Sequence, residues 1–205
     1  MQSNIKSTLL EARKAYRYLY DYQKRILDLI SFISGKYSFN YKGGWPKFSA
    51  NSPKNGKGNL GLWAWDWLNL YFYEFNFETK IINNENIYFS IFVLNDTGYY
   101  DALNVNGADK IDTNSFTSVE DSESKLIFVA GKNMWMGWGA NWDLPEFLNE
   151  KYGRKMEEEN KLMIFKHYSL ENFENEEKAM AAIKDFEQLC QKNNIQINIK
   201  TTILQ

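Results

Sequence analysis

The 205-residue chain carries 24 Lys/Arg against 26 Asp/Glu, is 44% apolar and 17% aromatic, and has one Cys and one His. So much buriable aromatic area excludes a disordered chain. One thiol and one imidazole exclude an intrachain disulfide and a Cys/His zinc site. No apolar run approaches the roughly 18 residues needed to cross a bilayer, and the first residues lack a secretory apolar core, so a cytoplasmic, soluble protein with no membrane partner is expected. The near-neutral total hides a split. Up to Trp65 there are 11 Lys/Arg and 3 Asp/Glu, and from Asp66 onward 13 and 23. No linker separates the two parts, so residues 1–205 read as one domain, with a basic helix and loop (1–65) and an acidic sheet and helix part (66–205).

In chain order, residues 5–34 are expected to form one long helix, because Leu9, Ala12, Tyr16, Leu19, Ile26, Ile30 and Ile33 recur at three- and four-residue steps. The oppositely charged pairs Arg17/Asp21, Asp21/Arg25 and Lys24/Asp28 support its exposed side, and Gly35 is a natural stop. A second stripe, Tyr18, Tyr22, Leu29 and Phe32, widens the apolar surface beyond what one covering layer needs, which points to burial on two sides or to a subunit contact. Neither an internal repeat nor a heptad array is expected. Residues 36–59 lose all periodicity and hold five Lys, no acid and several Gly and Pro, which reads as one long loop.

Strands are expected over 70–78 and 87–94, joined by a turn at Asn83-Asn84, and again over 125–130 and 162–167. Asn175 is placed to cap a helix with Glu176 and Glu177 in its first turn and Ala179, Ile183, Phe186 and Cys190 on its buried face. Ile195, Ile197, Ile199, Thr201 and Ile203 then alternate with polar residues, the pattern of a half-buried strand. The expected architecture is α+β: a mostly antiparallel sheet of about five strands with a long N-terminal helix and a C-terminal helix packed on it.

Three groups of residues carry candidate chemistry. Lys42, Lys47, Lys54 and Lys57, on a Gly-rich backbone with Trp45 or Tyr41 as a stacking surface and with Arg13 and Arg17 on the preceding helix, suit phosphate groups. Asp96 ends one expected strand while Glu123 and Lys125 open the next, so antiparallel pairing brings two carboxylates and an ammonium to one rim. This arrangement resembles the acid and acid-x-Lys pattern of restriction-endonuclease-like nucleases, and the resemblance implies Mg²⁺ held by Asp96 and Glu123. Met134, Trp135, Trp138 and Trp142, in a Gly-rich stretch, form a candidate pocket or partner surface.

The function expected first is a non-catalytic binding module, without a cofactor, that engages nucleic acid, another polyanion or a protein through its basic N-terminal region and Trp/Met-rich loops. A Mg²⁺-dependent nuclease and a small-molecule binder with an aromatic pocket are the alternatives.

Overall fold

The computed structural model describes residues 5–46, 71–98, 114, 116–135 and 144–200. Its centre is a seven-stranded, wholly antiparallel sheet. The elements are helix α1 (Ile5–Lys36), strands β1 (Tyr41–Pro46), β2 (Phe72–Phe77), β3 (Lys80–Ile82), β4 (Glu85–Leu94) and β5 (Lys125–Lys132), the short helix α2 (Leu144–Asn149), strands β6 (Tyr152–Glu158) and β7 (Lys161–Ser169), a 3₁₀ turn (Leu170–Phe173), and helix α3 (Glu176–Lys192). The strand order is β1-β2-β4-β5-β7-β6, with β3 pairing only with β4. The α+β class and both helices match the sequence-based expectation; the sheet has seven strands rather than about five.

Alternation along the strands gives the sheet two faces. One face carries Phe75, Phe77, Phe89, Ile91, Phe128 and Ile164 against Ile30 and Ile33 of α1 and Ile183, Phe186 and Cys190 of α3. Phe89 is the hub of this helical face, with ring centroids 5.3 Å from those of Tyr37, Phe39 and Phe77. Such tilted, stacked and edge-on pairs add to the area that each ring removes from water. The far face holds a second cluster, Phe72, Phe92, Ile127, Val129, Trp135, Phe147 and Phe165, in which α2 supplies Phe147. Cys190 is buried on the helical face and His167 lies on the far face beside Phe147, so no Cys/His dyad forms.

Several local expectations are corrected. The helix passes Gly35 and stops at Lys36, because it is Ser38 that turns left-handed (φ 59°) while Phe39 N–H donates to Ser34 O. Within the expected loop of 36–59, residues 41–46 form an edge strand; two glycines, a proline and a bulge between Tyr41 and Gly43 erase its alternation. A short strand β3 precedes the Asn83-Asn84 turn, whose two residues are both left-handed (φ 52° and 63°), as a two-residue hairpin requires. Strand β6 was also not expected: Tyr152–Glu158 is mostly polar and exposed because it forms the other edge.

The alternating segment 195–200 buries Ile195 and Ile197 but joins no ladder. Ile199 N–H donates to Glu187 Oε1 (2.7 Å), and Lys200 N–H donates to Lys36 O (2.7 Å), one of the carbonyls that the end of α1 leaves without an intrahelical donor. The end of α1 and a side chain of α3 thus supply what a neighbouring strand would have supplied. Asn175 caps α3 as expected, its side chain accepting from Lys178 N–H (2.9 Å).

Candidate ligand-binding site

A cavity of about 490 Å³ opens on the far face at the β1 side of the sheet, lined among others by Lys42, Trp45, Asn76, Tyr88, Ser90 and Trp135. Its floor follows from strand register. Asn76 of β2 lies opposite Ser90 of β4, and Gly43 of β1 lies opposite Asn76, so three adjacent strands present one small and two polar residues side by side on this face. Ser90 Oγ donates to Asn76 Oδ1 (2.8 Å) and accepts from Trp135 Nε1 (3.0 Å). This use of the Asn76 carbonyl leaves its amide N–H groups for another acceptor.

Trp135 reaches this position by a tight return of the chain after β5. Gly131 passes so close under the Met134 carbonyl that a Cβ there would collide with it. Asn133, left-handed at φ 52°, locks the return: its N–H donates to Asn86 O (2.8 Å), its Oδ1 accepts from Asn86 N–H (2.8 Å), and its Nδ2 donates to Asn160 O (3.1 Å). Trp135 itself sits at φ 109°, a strained backbone for a bulky residue, held by burial of the indole to 2% exposure.

The opposite wall belongs to β1. The bulge between Tyr41 and Gly43 brings Lys42 to the cavity, on the face that the next far-face position of β1, Trp45, also occupies. Trp45 is 54% exposed, a large cost in apolar surface for an edge-strand indole unless something stacks on it. Lys42 is exposed and pairs with no acid among the described residues. No acidic side chain is among the lining residues described, while Lys42, Asn76, Tyr88 and Thr79 all carry donors. The cavity therefore favours an acceptor-rich, negatively charged guest with a flat part that lies against indole. Glu74 is buried beyond the lining on the same face, two residues along β2 from Asn76.

The structure thus joins residues from two groups singled out in the sequence, Lys42 and Trp45 from one and Trp135 from the other. Met134 is buried in the far-face core, apart from the lining. Arg13 and Arg17 lie on the exposed N-terminal half of α1. Lys47, Lys54, Lys57, Trp138 and Trp142 lie outside the described residues. Asn76, Ser90 and Tyr88 were not anticipated. Their signal was present as a lone serine and a tyrosine in the apolar run Ile87–Leu94 and as polar residues between the phenylalanines of β2.

The β4–β5 register, which pairs Leu94 with Lys125, carries Asp96 toward the rim that holds Glu123 and Lys125, where Thr97 N–H donates to Glu123 O (3.1 Å) and Glu123 N–H to Thr97 Oγ1 (2.9 Å). Each carboxylate is already engaged. Glu123 pairs with Lys125 at 2.7 Å, and this hydrogen bond and charge hold its carboxyl below the usual range; Asp96 Oδ1 accepts from Gly98 N–H (2.8 Å). Among the described residues no group of three or more His, Cys, Asp or Glu is gathered as metal ligands require. The same rim anchors α1, since Tyr22 OH donates to Asn95 Oδ1 (2.5 Å) and Ser124 Oγ to Asn95 O (2.7 Å).

No helix among the described residues is long and apolar enough to cross a membrane. No curated protein and no solved structure matches the chain. A family profile does match it, over residues 2–197, nearly its whole length and including both walls and the floor of the cavity. By that match the chain belongs to the PM0109 family.

Proposed function

We propose that this protein is a non-catalytic binding module that takes an anionic ligand with a flat aromatic or amide portion into the far-face cavity. One observation carries the reading: a cation that pairs with no acid among the described residues, several hydrogen-bond donors and two indoles line a single hollow among whose described residues there is no acid. Lys42 supplies charge attraction, Asn76 and Tyr88 supply directional donors, and Trp45 supplies a stacking face. Ser90 holds the Asn76 amide and the Trp135 indole in fixed orientation, so they act as preformed walls. A free nucleotide and the end of a nucleic-acid strand present the same chemistry, a phosphate beside a planar base.

The reading is tested by titrating adenosine, guanosine, cytidine and uridine monophosphates, inorganic phosphate, and short single-stranded DNA and RNA, following tryptophan fluorescence at two salt concentrations. Binding of at least one nucleotide or strand is expected, weakened by salt, with Lys42→Gln and Trp45→Ala each reducing affinity at least about tenfold and Lys200→Gln leaving it unchanged. Absence of binding by every probe at low salt overturns it. The nuclease alternative finds less support in the rim, where Lys125 and a backbone N–H occupy the carboxylates. A thermal shift with Mg²⁺ that disappears in Asp96→Asn, together with cleavage of DNA or RNA, would reverse that order.

A further inference from the structure

Along α1, Ile5, Leu9, Ala12, Tyr16, Leu19, Gln23, Ile26, Ile30 and Ile33 follow one another at alternating steps of four and three. This is a heptad seam, contrary to the expectation of none, with Gln23 its one polar member. Its two halves differ in what covers them. Ile26, Ile30 and Ile33 are at most 4% exposed under the sheet, whereas Ile5 is 69%, Leu9 50% and Tyr16 74% exposed. The uncovered half continues past Gln23: Tyr20 and Leu27, on the same side of the helix, are 69% and 50% exposed. Leu27 in turn lines a groove of about 520 Å³ between α1 and strands β1 and β2, walled by Phe39, Tyr41, Phe75 and Phe77. An apolar ridge on the helix thus leads into an apolar hollow at its own base.

We propose that the occupant of this face is a second copy of the chain, its α1 antiparallel to the first and centred on Tyr16. With Tyr16 opposite Tyr16, Ala12 of one copy meets Tyr20 of the other, and Ile5 arrives beside Leu27 at the mouth of the other copy's groove. The ridge of each copy thereby fills the hollow of the other, a self-complementary twofold contact that closes on itself.

Charge is compatible with this arrangement, and the position of the sheet bodies and grooves selects it over the parallel one. Lys6, Arg13, Tyr20 and Leu27 edge one side of the seam, and antiparallel pairing sets Lys6 beside Leu27 and Arg13 beside Tyr20, an arginine over an aromatic face, with no like charges opposed. The other edge, Thr8, Ala15 and Tyr22, is uncharged. Parallel pairing would crowd the two sheet bodies at one end and leave both grooves unfilled. Five side chains per copy, Ile5, Leu9, Tyr16, Tyr20 and Leu27, each covering about 100 Å², bring the contact to roughly the 1,000 Å² that a specific interface needs.

The test is sedimentation equilibrium of the full chain over a wide concentration range, with two further arms. The parent is expected to dimerise. Tyr16→Glu, which opposes two carboxylates at the twofold axis, is expected to raise the dissociation constant at least about tenfold. Its helical circular dichroism should stay unchanged, because Tyr16 is 74% exposed. For the register, Ala12→Cys and Tyr20→Cys chains are oxidised alone and mixed; Cys190 is buried and does not compete. A crosslink that forms only in the mixture supports the proposal. A parent that stays monomeric at the highest concentration reached, a Tyr16→Glu variant that dimerises as the parent does, or self-linking of Ala12→Cys overturns it.

Discussion

Acidification is expected to destabilise the fold through His167, whose ring lies beneath α2 with its centroid 5.5 Å from that of Phe165 and 6.2 Å from that of Phe147. Burial disfavours the imidazolium and lowers its pKa to about 4; the hydrogen bond between Nε2 and Phe147 O (2.7 Å) works in the opposite direction without reversing the effect, and the Lys125 charge adds to it. Because the folded-state pKa lies below the unfolded value, the unfolded chain takes up a proton first as pH falls. Stability is therefore unaffected by this group near pH 7, declines between about pH 6.5 and 4, and flattens below. A change from 6.5 to about 4 corresponds to about 3 kcal/mol at pH 4, a large share of a single domain's stability. Urea denaturation of the parent and of His167→Gln at several pH values between 7 and 4 separates this from carboxylate protonation, which both proteins share. The variant, with nothing to titrate at that position, should lose about 3 kcal/mol less than the parent over that interval. Parallel pH dependence in the two proteins would refute the buried neutral imidazole.

Six other substitutions, at five positions, are expected to act locally. Ile197→Asp should cost about 4 kcal/mol or more in urea denaturation, since Ile197 is 1% exposed and a carboxylate there loses its water, whereas Lys200→Asp should change stability by no more than about 0.5 kcal/mol. Removing the α3 cap with Asn175→Ala should cost about 1 kcal/mol, and Asn175→Ser should recover most of it. Gly131→Ala should cost about 1–3 kcal/mol and alter the near-UV signal of Trp135, because the new methyl meets a backbone carbonyl that cannot step aside. Gly35→Ala, with no atom near the added methyl in a helical turn, should instead raise stability by about 0.5–1 kcal/mol.

The elements that were legible in the sequence are those whose own residues state their periodicity. Ile26, Ile30 and Ile33 in α1, Ile183, Phe186 and Cys190 in α3, and the apolar runs of β4, β5 and β7 bury what their spacing says they bury. Edge strands escaped because an edge has little to bury: β1 is written in Gly, Lys and Pro, and β6 is largely exposed. Ile195 and Ile197 show the converse, a period-two burial pattern produced by two helices instead of a neighbouring strand.

The candidate site was only half legible. Lys42, Trp45 and Trp135 stood out by type, but nothing local says that positions 42 and 135 meet; that follows from the order β1-β2-β4-β5, which sequence periodicity does not encode. Ser90 and Asn76 looked like interruptions in apolar strands until the register set them opposite each other.

The unequal anchoring of the cavity's walls has a consequence for how a guest enters. The floor strand β4 is bonded on both sides, by β2 and β5, and the Trp135 wall is clamped by Asn133, but β1 has a single ladder partner and is interrupted by a bulge and ended by a proline. Detaching β1 breaks one ladder and leaves both hydrophobic clusters in place, so the wall that carries Lys42 and Trp45 opens at a much smaller free-energy cost than the floor. Its amide protons should exchange with solvent well ahead of those of β4 and β5, and a bound ligand that bridges Lys42 to Asn76 would slow them selectively, recording occupancy in the exchange rates of one strand.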